Sequence, residues 1–168
     1  MKNYALIAFA SLLFFSCADQ QDLTLFNTNK AIAQKVVESY TSPTNFEQFK
    51  SMLDEKIEHQ SPMYGAGVVG YDQVLEQANY YMSNFSDVTF DDAVWLPGVN
   101  NETLKADGSV RVYGTWNGVS KATGKSFSVD SYHYFEIKDS KVMLSGDFFD
   151  ATGMIMAVSA DPEVEQAE

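Results

Sequence analysis

Apolar positions recur at helical spacing in the first half of this chain and at strand spacing in the second. Between Asn29 and Tyr40, the residues Ile32, Val36 and Tyr40 fall four apart, with Ala33 and Val37 beside them, as on one stripe of a helix. Ser42-Pro43 ends that pattern. Asn45 followed by Gln48 fits a second helix start, with Phe46, Phe49, Met52 and Leu53 on one face. A short strand over Ile57–Gln60 comes next, then a glycine-containing loop from Pro62 to Gly70. Tyr71 to Phe85 reads as a third helix that turns Val74, Leu75, Ala78 and Tyr81 toward a core.

From Val88 the period shortens to that of strands: Val88–Leu96, Ser109–Ser120, Ser126–Lys138 and Lys141–Phe149. Asn100-Asn101, Ala106-Asp107-Gly108, Thr123-Gly124 and Asp139-Ser140 punctuate them as turns. Three helices leading an antiparallel meander predict an α+β domain, a curved antiparallel sheet wrapped around the helices. Strong curvature leaves a cone-shaped cavity, the kind of place where small ligands bind. Met154 and Met156 in GMIMAV read as packing at the cavity mouth or an interface.

Charge narrows the partners. The 168 residues carry a net charge of −12, and Lys2 belongs to a leader, so the mature chain is more acidic still. Such a field repels phosphate backbones and anionic lipid, so no nucleic acid partner is expected. Aromatic residues make up 14% of the chain, enough bulk for a core and a ligand cavity.

Lys2 followed by the short apolar run Ala5–Phe15 reads as a secretory signal, too short to span a bilayer as a helix. Its ending, LFFSC, resembles a bacterial lipoprotein box, which implies lipidation at Cys17; an ordinary signal peptide with an incidental cysteine is the alternative. A single cysteine forms no internal disulfide. The expected organisation is a signal over 1–16, a tether over 17–28, one domain over 29–158 and an acidic tail over 159–168, anchored by lipid in the cell envelope.

His59 in IEHQSP, His133 in SYHYFEI and Asp147 in VMLSGDFF are the candidate chemistry. Imidazole is the side chain that moves a proton near neutral pH, and two of them with a carboxylate in one concavity make an acid–base site. Strand alternation puts His133 on a face with Ser131, Phe135 and Ile137, and Asp147 on a face with Met143, Ser145 and Phe149. Structural alternatives stay open: a backbone-bonded imidazole at a loop edge for His59, a core imidazole for His133, a lysine-paired rim charge for Asp147. Arg111, the only arginine, falls opposite Val110, Val112 and Trp116, as a carboxylate clamp or as solvated decoration. The spacing of the histidines matches no metal signature, and neither a phosphate-binding glycine loop nor a serine-hydrolase elbow is present.

The order helix, helix, short strand, helix and four long strands, over about residues 29–158, resembles the SnoaL-like branch of the nuclear transport factor 2 superfamily, which also holds ketosteroid isomerases and scytalone dehydratase. By that resemblance VVESY places Tyr40 where ketosteroid isomerases carry an oxyanion-hole tyrosine. IEHQSP places His59 at the base position, with Ser61 the match if the register slips. His133 falls where ketosteroid isomerases have a protonated aspartate and the cyclases a histidine, which implies that it hydrogen-bonds a developing enolate together with Tyr40. Asp147 matches the cyclase base, although Gly146 replaces the tryptophan before it and Ser140 the glycine of the preceding turn. The resemblance implies a small hydrophobic ligand, no cofactor, and isomerase-, cyclase- or dehydratase-type activity if there is turnover. Phe135, Phe149 and Trp116 are the expected ligand walls. A non-catalytic assembly module is the alternative, with Tyr113, Tyr132 and Tyr134 on the outer sheet face of a homodimer.

Overall fold

The first helix, α1 (Thr24–Glu38), starts inside the stretch expected as a tether and ends just before Tyr40. The cause is contact with a distant strand. Phe26 and Asn29 are buried, and the Asn29 side-chain amide donates to the Gly108 carbonyl at 2.8 Å. Gly108 has φ +85°, and a Cβ there would collide with Leu25. The computed structural model describes residues 21–160; the leader, Cys17 and residues 161–168 lie outside the described residues.

Next come α2 (Phe46–Met52), capped by the Asn45 side chain, then β1 (Leu53–Gln60), β2 (Val68–Val69) and α3 (Tyr71–Asn84). The meander follows as β3 (Phe85–Val99), β4 (Ala106–Ser120), β5 (Ser126–Lys138) and β6 (Lys141–Phe148), closed by α4 (Ala151–Val158). The α+β class and the curved, unclosed sheet agree with the sequence reading. The third helix follows β1, as the sequence pattern predicts. Two particulars differ. The sheet order is β2-β1-β6-β5-β4-β3, and β1 runs parallel to β6, so the sheet is mixed. The GMIMAV segment is helical, started by the Asp150 carboxylate accepting from the Gly153 N–H.

The β5–β6 connection is a two-residue hairpin with Asp139 at φ 51° and Ser140 at φ 62°. That geometry matches the right-handed twist of the flanking strands, and glycine adopts it at least cost. A bulge between Glu136 and Ile137 shifts the register of the pair. Consequently Val142, and not Met143, joins Ser145, Asp147 and Phe149 on the concave face. The core lies between that face and α1 to α3, around Ala33, Val36, Phe49, Ile57, Ala78, Val110, Val112 and Val142. A smaller cluster, Phe85, Val88, Met154 and Val158, packs α4 against the start of the sheet.

Candidate functional site

The concave face encloses a cavity of about 90 Å³. That is less than the roughly 150 Å³ cavity that takes benzene, so the space holds a compact group and anything larger extends through its open side. Val36, Leu53, Phe85, Phe127, Phe135, Phe149 and Trp116 supply apolar wall, and every candidate residue (Tyr40, His59, His133 and Asp147) borders the same space. The sequence placed these four on four separate elements; the fold brings them together.

Register explains the convergence. His133 pairs with Asp147 across β5–β6, and His59 pairs with Ser145 across β1–β6. The three side chains therefore project from adjacent strands to one side of the sheet. His133 Nδ1 lies 2.7 Å from Asp147 Oδ1, and His59 Nε2 lies 3.5 Å from Asp147 Oδ2. One carboxylate thus bridges two imidazoles. The histidine side chains are 5% and 6% exposed and that of Asp147 is 21% exposed, so the carboxylate is the group the cavity reaches most easily.

The hydrogen-bond donors settle the proton positions. The indole N–H of Trp116 donates to His133 Nε2 at 2.9 Å. Indole is a donor only, so Nε2 carries a lone pair and the ring hydrogen sits on Nδ1, donated to Asp147. Ser131 Oγ also lies 3.0 Å from Nε2. Both nitrogens of His133 are therefore occupied, Nδ1–H on Asp147 and Nε2 by Trp116 and Ser131, and the ring presents no free donor to the cavity.

His59 is held differently. Its Nδ1 meets Ser145 Oγ at 2.9 Å, and its Nε2 faces the Gln77 amide nitrogen at 3.4 Å as well as Asp147. Ser61 Oγ donates to Gln77 Oε1 at 3.0 Å and accepts from the Met63 N–H. This chain of donors turns the amide N–H of Gln77 toward the lone pair of His59 Nε2 over a long 3.4 Å contact, and a proton arriving at Nε2 would displace it and be held by Asp147 Oδ2. Burial pushes the Asp147 carboxyl up, but the electropositive His133 ring, its hydrogen bond and His59 together outweigh burial, so Asp147 titrates below the usual carboxylate range.

Tyr40 packs edge-on against Phe49 and Trp116, at 5.1 and 6.0 Å between centroids. Burial first, then the charges of Asp147 and Tyr81, push its hydroxyl well above the usual phenol range, so it stays a proton donor. Phe135, Phe149 and Trp116 do line the cavity without filling it. Arg111 instead lies on the other face, its guanidinium 5.3 Å from the Tyr134 ring centroid. Gly146 faces that way too: a Cβ there would sit 2.4 Å from the Tyr134 ring, so no larger side chain fits with Tyr134 as it lies.

Sequence reasoning missed Gln77, although it left a trace by interrupting the inward stripe between Val74 and Tyr81. Strand alternation put Ser131 and Ser145 on the faces of His133 and Asp147 but gave them no partner. Among the described residues no group of three or more His, Cys, Asp or Glu is arranged to hold a metal ion, and no helix is long and apolar enough to cross a membrane.

No family model and no curated protein matches the sequence. Solved structures do. A candidate polyketide cyclase of Xanthomonas campestris pv. campestris superposes with a TM-score of 0.64 at 14% identity, over 81% of this chain and 100% of its own. A hypothetical protein of Catenulispora acidiphila with a ketosteroid isomerase-like fold, solved in complex with trimethylamine, gives 0.57 at 14% identity, over 76% and 91%. A nuclear transport factor 2-like protein of Burkholderia xenovorans gives 0.58 at 17% identity, over 79% and 97%. The fold of this chain is accordingly the nuclear transport factor 2-like fold, shared with candidate polyketide cyclases and ketosteroid isomerase-like proteins.

Proposed function

We propose that the chain binds a compact, largely apolar molecule in this cavity and performs cofactor-free proton transfer on it, of the isomerase, cyclase or dehydratase type. The observation that carries the reading is the Asp147 carboxylate bridging His59 and His133 at the polar end of an apolar cavity. A carboxylate held below its usual range is a weak base at neutral pH, whereas imidazole is suited to that pH. His59 Nε2 therefore takes the proton from a carbon next to a carbonyl, and Asp147 stabilises the imidazolium that forms. Tyr40 donates to the developing enolate oxygen, where a donor placed in advance contributes most. His133 keeps the carboxylate in place.

The test is hydrogen–deuterium exchange at the α-carbon of small cyclic ketones and 1,3-diketones, followed by NMR. The protein should accelerate exchange, and His59→Ala should lower the rate by about 10²–10⁴-fold, the usual weight of a general base. Exchange no faster than in buffer across the panel would refute catalysis.

A second reading, assembly without turnover, is favoured by one feature of the outer face. Val94, Tyr113, Tyr132 and Phe148 stand in one row across four strands, and Val94, Tyr113 and Phe148 are about half exposed. Large exposed aromatic groups in a row suit a protein interface. We place a second copy of the chain there and tether the domain to the cell envelope through a lipid on Cys17. Palmitate labelling that survives in the wild type and vanishes in Cys17→Ser tests the anchor.

A further inference from the structure

With His133 committed to Asp147 and Trp116, the acid–base reading leaves Tyr40 as the only donor so far assigned to the enolate oxygen. Two more hydroxyl-bearing residues border the cavity: Ser145, whose Oγ is taken up by His59 Nδ1, and Tyr81, near the end of α3. Its ring is fixed between Phe85, stacked at 6.2 Å, and Phe149, tilted at 6.4 Å. Its hydroxyl has a poor partner, the thioether of Met63 at 4.0 Å, and sulfur is a weak acceptor. Half-satisfied polar groups beside a cavity are well placed to meet a ligand.

We infer that Tyr81 is a second ligand-contacting donor, and that with Tyr40 it holds the oxygen of a compact, enolisable carbonyl compound between two phenols. The inference rests on the acid–base reading. In the step it serves, the α C–H bond breaks and its proton passes to His59 Nε2. The electron pair of that bond forms the C=C bond, and the carbonyl π pair moves to oxygen as the enolate. Both tyrosines keep their protons and donate hydrogen bonds to that oxygen. Burial and then the Asp147 charge raise the Tyr81 hydroxyl above the usual phenol range, in keeping with a donor that does not ionise.

The experiment compares binding of 4-nitrophenol, whose ionised oxygen imitates an enolate, with nitrobenzene, which lacks it. Wild type, Tyr40→Phe, Tyr81→Phe and Met63→Leu are titrated by absorbance and calorimetry, after each is shown to melt cooperatively. The expected result is a preference for 4-nitrophenol in wild type, reduced roughly ten- to a hundredfold in each Tyr→Phe variant. Nitrobenzene affinity should not change, and Met63→Leu should behave as wild type. Tyr81→Phe with wild-type phenol affinity beside a weakened Tyr40→Phe would overturn the inference and leave the acid–base reading intact. Equal losses in Met63→Leu and Tyr81→Phe would overturn it as well, since Tyr81 would then serve only to hold the Met63 loop. No preference for the phenol in wild type would remove both readings together.

Discussion

The indole nitrogen of Trp116 and Nε2 of His133 lie 2.9 Å apart, and this one pair decides which nitrogen of the imidazole carries the ring hydrogen. Because indole only donates, the lone pair is on Nε2 and the hydrogen on Nδ1. That hydrogen faces Asp147, which is thereby favoured as the anion.

Trp116→Phe removes that constraint while keeping an aromatic wall. His133 should then populate the other tautomer as well, seen in imidazole nitrogen shifts by NMR. Stability should fall by about 1–3 kcal/mol, the range for a buried polar atom left unpaired. Identical nitrogen shifts in the two proteins would contradict the assigned tautomer.

Asp147 predicts a pH dependence with a definite sign. Its folded-state pKa lies below the ordinary 3.8, so its contribution is complete above that value and disappears as pH falls through the lower, folded-state value. Asp147→Asn keeps an acceptor for His133 and loses the charge. It should be about 1–2 kcal/mol less stable at pH 7, since bonds to charged groups exceed neutral ones by about that much. Urea unfolding from pH 7 to pH 3 should also show a shallower acid loss than in the wild type. Parallel curves would sink the assignment.

Ser140 occupies a positive-φ position in the β5–β6 hairpin where glycine is at ease. Ser140→Gly should raise stability by about 0.5–1 kcal/mol, relief of left-handed strain partly offset by the freer unfolded chain. For a domain of this size that corresponds to roughly 2–4 °C in Tm. A lower melting temperature would show that the serine side chain contributes more than the strain costs.

Tyr132 touches both Tyr113 and Phe148, with centroids 4.9 and 5.7 Å apart. If a second copy covers this row, Tyr132→Glu should give monomers by light scattering with an unchanged far-UV spectrum. A protein that is monomeric before the change would remove the dimer from consideration.

Much of the fold was legible because long elements carry their period openly. Ser126–Lys138 alternates cleanly, and its observed limits are those the pattern gives. Elements decided by distant contact were not legible. The first turn of α1 exists because Asn29 finds Gly108, and α4 is an apolar run of eight residues with no polar face to reveal a helix. Met143 was assigned to the concave face by simple alternation, which is overridden because Met143 is itself the unpaired residue of the bulge facing Glu136 and Ile137. At the site, ionisable side chains announced themselves by type. Ser145, Ser131 and Gln77 matter only through what they touch, and Trp116 read as wall because nothing in sequence shows where an indole N–H points.

Gly146 and Asp147 are neighbours that face opposite ways, one beneath the Tyr134 ring and one beside two histidines. A single peptide unit therefore joins the exterior of the sheet to its carboxylate. Whatever presses on Tyr134 and Phe148 bears on the same short stretch of backbone that aims Asp147, and the length available to absorb that pressure is one residue. The two faces of this strand are mechanically one part.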